Sequence, residues 1–351
     1  MPDTAAISEL PEDIRQHAEG LLKAFQHDSP YKRSVITEIL RLLTGTHASS
    51  DLKMMSRMLL EIRKGLDVFQ PYQSWRKVSI FGSARTLPDQ PRYKQVQACA
   101  TALKNEGFMI ITGGGEGMMR AANEGAGKEH SFGININLPM EQHPNAIVDG
   151  SPRHFYCQYF FTRKLFFLKE SDALILSPGG FGTLDEAFET LTLLQTGRNP
   201  PVPVVLLDAP GDDFWGPFVR SWMRRLVKDH LISAGDQHLL FHTDNIEAAV
   251  SHITDYYANY HSFRYVGDWI LLRILNPLSA DALERLNAEF SDVLHKGNIE
   301  QVFRWPNSDD ACFAHLPRLR MHLDHKCMNA LPQIIRRMNA LHAQDGNADE
   351  D

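Results

Sequence analysis

Cysteine is scarce: Cys99, Cys157, Cys312 and Cys327 are the 4 in 351 residues, and no two form a C-x-x-C pair. A disulfide framework is therefore not expected, and a reducing cytoplasm is the expected setting. No apolar run approaches the roughly 18 residues of a membrane span. The first dozen residues are polar and acidic, without the basic start and apolar stretch of a secretory signal. Positive charge is not in surplus either. Lys and Arg number 36 against 43 Asp and Glu, a formal net charge of −7. That balance argues against a dedicated nucleic-acid binder, whose affinity rests on clustered Lys and Arg. Two glycine signatures are missing. The dinucleotide fingerprint G-x-G-x-x-G fails at Gly82-Ser83-Ala84-Arg85-Thr86-Leu87, and fails again from Gly113, where the sixth position is Met118. A Walker loop fails because Gly127-Lys128 is followed by Glu129.

What is present is ordinary globular material, 43% hydrophobic and 23% charged, enough for two or three domains' worth of core. Short apolar runs at 78–81, 108–111, 132–136, 173–176 and 202–207 alternate with helical patterns at 93–105, 118–128, 183–196 and 213–228. Such alternation implies right-handed crossovers, and continuously apolar strands imply a parallel sheet covered on both faces. The expected fold is α/β: a doubly wound, Rossmann-like parallel sheet over residues 75–260, with helical extensions at both ends. Residues 1–74 read as a helical N-terminal extension, with apolar residues such as Val35, Ile39, Met54, Met58 and Ile62 at helical spacing. Residues 261–343 read as a mainly helical C-terminal region, and residues 344–351 as a disordered acidic tail.

Open parallel sheets bind ligands at the carboxyl ends of their strands. Three glycine-bearing turns fall there: Gly82-Ser83, then Gly113 to Gly117 including Gly114 and Gly115, then Gly179-Gly180-Phe181-Gly182-Thr183. Together they suggest one nucleotide-sized site. The third turn opens a helix, whose unpaired N–H groups and positive dipole end suit a phosphate. Asp185, Glu186 and Glu189 follow in the first turns of that helix. Two readings of Glu186 stand open. Thr183-x-x-Glu186 fits a capping box, in which glutamate merely satisfies the helix start. Alternatively, Glu186 faces the sugar of a nucleotide, where cleaving the base builds positive charge on the sugar carbon. Upstream, Arg163-Lys164 is a basic pair in aromatic surroundings, which weakens the reading of a merely solvated face.

Arg163-Lys164 followed by Pro178-Gly179-Gly180-Phe181-Gly182-Thr183-Leu184-Asp185-Glu186 resembles the LOG family of cytokinin-activating phosphoribohydrolases, whose pattern is PGG-x-GT-x-x-E with an upstream Arg-Lys. Supporting matches are the Gly82-Ser83 turn, the Gly113 to Gly117 turn, Ala121-Ala122-Asn123 and the stretch from Leu191 to Gly197, so the resemblance covers roughly residues 77–257. Bacterial members were long labelled lysine decarboxylases, a name with no physical support here, since no lysine stands out as a Schiff-base candidate.

The resemblance implies a hydrolase that releases a free base and ribose 5-phosphate from nucleoside 5′-monophosphates such as AMP. Arg163 and Glu186 would be its catalytic pair. Gly82, Ser83, Gly114, Gly115, Lys164, Gly179, Gly180, Gly182, Thr183, Asp185 and Glu189 would bind substrate or phosphate. No metal or cofactor is called for, and a homodimer or larger homo-oligomer is implied. Glu116 and Arg120 depart from the family, which usually has proline and an acidic residue there, and they are expected beside the ligand. The rival reading is a protein that binds a nucleotide or nucleotide-like cofactor without cleaving it, as a carrier or regulator. Cys312, His315, His322, His325 and Cys327 lie close in sequence, but their spacing matches no common zinc finger.

Overall fold

The structure, a computed structural model, describes residues 10–25, 29–138, 143–303 and 311–348. It forms two compact units, residues 1–63 and 64–351. The first is helical, as its periodicity predicts: α1 (Glu12–Ala24), α2 (Pro30–Thr44) and most of α3 (Ser49–Phe69). Leu10, Ala18 and Leu22 form its small core, with Ile36 and Leu40 against them. Ser29 starts α2 by accepting a hydrogen bond from the Tyr31 N–H, with Pro30 placed where no amide donor is needed.

The second unit holds a seven-stranded parallel sheet in the order β4-β3-β2-β1-β5-β6-β7. The strands are β1 (Lys77–Phe81), β2 (Met109–Thr112), β3 (Ser131–Ile136), β4 (His154–Cys157), β5 (Ala173–Leu176), β6 (Val204–Leu207) and β7 (Phe241–Thr243), and the first four α-helices between them are α4 (Pro91–Asn105), α5 (Met118–Ala126), α6 (Phe160–Lys169) and α7 (Phe181–Gln195). Successive side chains of a strand point to opposite faces, so β1 feeds two cores. Val78 and Ile80 join Val96, Leu103 and Ile253 on one face, while Phe81 joins Phe69, Phe132 and Phe166 on the other. Chain direction across the sheet reverses between β1 and β5, opening a crevice at their carboxyl ends.

Sequence periodicity located the five inner strands but neither edge. β4 is half-buried and carries His154 and Tyr156, and β7 has only 3 residues, all partly exposed. Strands covered on one side need no continuous apolar run. The helix expected over 213–228 begins later, as a wide turn at Phe218–Met223 that leads into Arg224–Lys228.

The C-terminal region corrects the expectation of a mainly helical extension. It is built on a four-stranded antiparallel sheet, β10-β11-β9-β8, from β8 (Tyr260–Val266), β9 (Trp269–Ile274), β10 (Leu294–Val302) and β11 (Arg318–Leu323). Its strands escaped notice because one face is wet, so β8 and β10 interleave polar residues with apolar ones. The helices expected there pack on its apolar face, with Leu286 of Ala280–Phe290 and Ile334, Met338 and Leu341 of Leu331–Ala348 beside Leu272 and Leu319. The last helix runs to Ala348, past Gln344 where order was expected to end, and residues 349–351 lie outside the described residues.

This second sheet is fastened near the amino ends of β1 and β5. The Arg76 guanidinium lies 3.7 Å from the centre of the Tyr257 ring and pairs with Asp172 at 3.1 Å. Tyr257 donates its hydroxyl to the Asp172 carbonyl, and Arg76 reaches the His261 carbonyl at 3.4 Å. Among the described residues no helix is long and apolar enough to cross a membrane.

Candidate active site

The three glycine turns predicted to share a site meet at the carboxyl ends of β1, β2 and β5. The Ser83 N–H donates to the Pro178 carbonyl at 3.1 Å, and the Met118 N–H donates to the Ser83 carbonyl at 3.0 Å. Contact this close requires glycine at two positions. Gly117 has φ +66°, and a Cβ there would lie 2.4 Å from the Ser83 carbonyl oxygen. A Cβ on Gly179 would lie 2.1 Å from the Thr183 hydroxyl. Behind the second turn, buried Asn145 donates to the Gly115 carbonyl and to Asn123, which accepts from Thr112 as well.

Between the turns lies a cleft of about 600 Å³, lined by Gly82, Ser83, Arg85, Gly113, Met119, Ile136, Leu138, Phe160, Arg163, Gly180 to Thr183 and Glu186, among others. Its floor is the start of α7 (Phe181–Gln195). The cap of that helix is Gly180, and no side chain caps it. Thr183 is the third helical residue, so the capping box does not form and Glu186 is not spent on the helix start. Phe181, Gly182 and Thr183, whose N–H groups precede the first residue able to bond within the helix, all line the cleft.

Glu186 is 4% exposed, and its Oε2 is buried with no hydrogen-bond partner. Burial pushes its carboxyl up to about 7, against the opposing pull of Lys164 and Arg163. Arg163 projects from α6 (Phe160–Lys169), with its guanidinium 4.9 Å from the Phe160 ring centre and 5.6 Å from that of Phe167. Burial lowers its pKa and the neighbouring Glu186 raises it. Its Nε is also buried and unpartnered. A carboxyl and a guanidinium, both desolvated and each with an unsatisfied atom, therefore face one glycine-lined cleft. Such poising is typical of sites that act on a ligand.

Several predicted binding residues stand elsewhere. Lys164 pairs with Asp185 at 2.8 Å and with Glu189 at 2.5 Å. All three line a separate groove of about 1030 Å³ toward the second sheet, not the cleft. The structure thus brings these three together, apart from the residues that line the cleft. Neighbours on a helix point about 100° apart, so Arg163 and Lys164 serve opposite sides, as do Glu186 and Asp185. The larger groove lies beside Arg76 and Asp172 at the amino ends of β1 and β5, and Glu186 is not among the residues that line it. Gly114 and Gly115 are likewise buried behind the cleft, which Gly113 reaches in their place. Glu116 and Arg120 do not line it either; Arg120 pairs with Glu116 at 3.3 Å and with Glu124 at 2.8 Å.

Sequence reasoning gave Arg85 and Phe160 no place in the site. A usable signal for Phe160 was its spacing: Phe160 and Phe167 fall three residues before and four after Arg163, on its own helix face. Among the described residues no three His, Cys, Asp or Glu side chains are grouped to hold a metal ion. His322 packs instead on the Trp269 ring, and Cys312 is exposed.

The Lys164 ion pairs should act on the site at a distance. Lys164→Met removes the cation that most lowers the Glu186 pKa and uncovers two carboxylates beside it. The Glu186 titration midpoint, followed by carboxyl-carbon NMR, is expected to rise by on the order of one pH unit. An unchanged midpoint would show that solvent screens the pair from the cleft.

The family model described as "Possible lysine decarboxylase" matches residues 116–253. A cytokinin riboside 5′-monophosphate phosphoribohydrolase of Arabidopsis thaliana is 26% identical over 181 residues, spanning 50% of this chain and 82% of that protein. The protein of the same description from Mycobacterium tuberculosis is 26% identical over 152 residues, 42% of this chain and 78% of that one. Among solved structures, the molybdenum cofactor binding protein of Rippkaea orientalis is 20% identical with a TM-score of 0.36, covering 50% of this chain and 94% of that chain.

Proposed function

We propose that this chain, with its similarity to the LOG family, hydrolyses the N-glycosidic bond of nucleoside 5′-monophosphates, AMP among them, to free base and ribose 5-phosphate. One observation carries the reading: the buried, unpartnered Glu186 oxygen stands in the same cleft as Arg163 and the open start of α7. The phosphate sits on the N–H groups of Phe181 to Thr183, which fixes the sugar in register. As the bond from the base nitrogen to C1′ breaks, its electron pair leaves with the base and positive charge spreads over C1′ and the ring oxygen. The Glu186 carboxylate stabilises that charge and accepts a proton from the water whose oxygen bonds to C1′. A proton delivered to the base nitrogen completes the balance. Arg163 holds Glu186 ionised and contacts the sugar.

Incubating the purified protein with AMP and other nucleoside monophosphates tests this directly. Free base and ribose 5-phosphate are expected in equal amounts. A nucleotide that binds saturably and is recovered intact would overturn hydrolysis and favour a carrier or regulatory protein.

A further inference from the structure

Arg85 is the second guanidinium of the cleft, and the family pattern gives it no role. The turn that carries it is fixed from both sides. The Arg85 N–H donates to the Ser83 hydroxyl at 3.1 Å, and the Ser83 N–H donates to the Pro178 carbonyl at 3.1 Å. A Cβ on Gly179 would come 3.1 Å from the Gly82 carbonyl carbon, so the two turns touch. The turn that carries Arg85 is thereby anchored against Pro178-Gly179, and Arg85 lines the same cleft as Gly180 to Thr183.

The two arginines differ in what already engages them. Arg163 is enclosed by Phe160 and Phe167 and faces Glu186, deeper along α7. Arg85 is exposed, and among the described residues no carboxylate pairs with its guanidinium. Glu186 lies a full helical turn beyond the helix start, and a comparable length separates the phosphorus of a nucleotide from its C1′. A substrate reaching from the helix start to Glu186 thus has its phosphate on Gly180 to Thr183, in the cleft that Arg85 also lines.

We infer that Arg85 recognises the 5′-phosphate, closing over the anion that the start of α7 holds from below. The inference deepens the hydrolase reading and rests on it for the identity of the ligand. A helix start offers amide donors and a partial charge, weak against a dianion in water. A guanidinium adds two parallel donors and a full charge, in a geometry suited to phosphate oxygens. Arg85 thereby makes the site select phosphorylated over unphosphorylated nucleosides.

Binding of ribose 5-phosphate, measured by calorimetry, tests Arg85 independently of turnover. Arg85→Ala is expected to weaken it about 30-fold, the loss of one charge-assisted contact. Arg85→Lys should restore part of the affinity, and binding of ribose itself should not change. With AMP, KM should rise by a similar factor while kcat stays within about threefold. Unchanged ribose 5-phosphate affinity in Arg85→Ala overturns the inference, whether or not the protein is a hydrolase. A wild-type protein that cleaves no nucleotide but loses ribose 5-phosphate affinity through Arg85→Ala would sink the hydrolase reading and leave this one standing. Failure of the wild type to bind ribose 5-phosphate would sink both.

Discussion

Glu186→Gln is expected to lower kcat on AMP about a thousandfold while leaving KM within a few-fold of the wild type. A carboxylate ~4 Å from a developing sugar cation, at an effective dielectric near 20, stabilises it by about 4 kcal/mol, which corresponds to that factor in rate. Glutamine keeps the shape of the side chain and loses its charge. The phosphate contacts at Phe181 to Thr183 lie on a different part of the helix, so substrate binding should survive. Released adenine under saturating AMP, with folding checked by circular dichroism, is the measurement. Turnover within tenfold of the wild type would remove Glu186 from the chemistry.

The same substitution should make the protein more stable at neutral and alkaline pH. In the folded chain the Glu186 carboxyl titrates at about 7, above its ordinary 4.5, because burial disfavours the charged form. Below pH 4.5 the group is neutral in both folded and unfolded chains, so wild type and Glu186→Gln should match. As pH rises, the unfolded chain releases the proton first and is favoured, until the folded form ionises near 7. The accumulated cost is about 3.5 kcal/mol, from a shift of roughly 2.5 pH units at about 1.4 kcal/mol each. Urea unfolding at pH 4 and pH 8 should therefore show no gain at the lower pH and a gain of that order at the higher. A variant no more stable than the wild type at pH 8 would mean that water or a partner already solvates the carboxyl. Activity and stability thus pull in opposite directions at one residue, as expected where a charge is held ready for a ligand.

The glycine turns were legible because the backbone itself needs them: Gly117 takes a left-handed angle beside Ser83, and no other residue fits. The role of Glu186 was less so. Spacing alone allowed a capping box, and only the start of α7 at Gly180, three residues earlier than that pattern requires, decides against it. Lys164, Asp185 and Glu189 could not be separated from Glu186 by spacing alone. Glu189 is a helix neighbour of Asp185 at four residues and of Glu186 at three, so one rule allows both groupings. Only the Lys164 ion pairs tie Asp185 to Glu189. The antiparallel sheet was illegible for a different reason. Its strands β8 and β10 mix polar and apolar residues over short lengths, and the pairing depends on partners up to 51 residues away, such as Met321 with Ile270.

Arg76, Asp172 and Tyr257 join the second sheet to the first at the rim opposite the glycine turns. Attachment and chemistry therefore occupy separate ends of the same strands. Added layers can be exchanged, lengthened or lost there without redrawing the pocket, much as a tool keeps its cutting edge when the handle is changed.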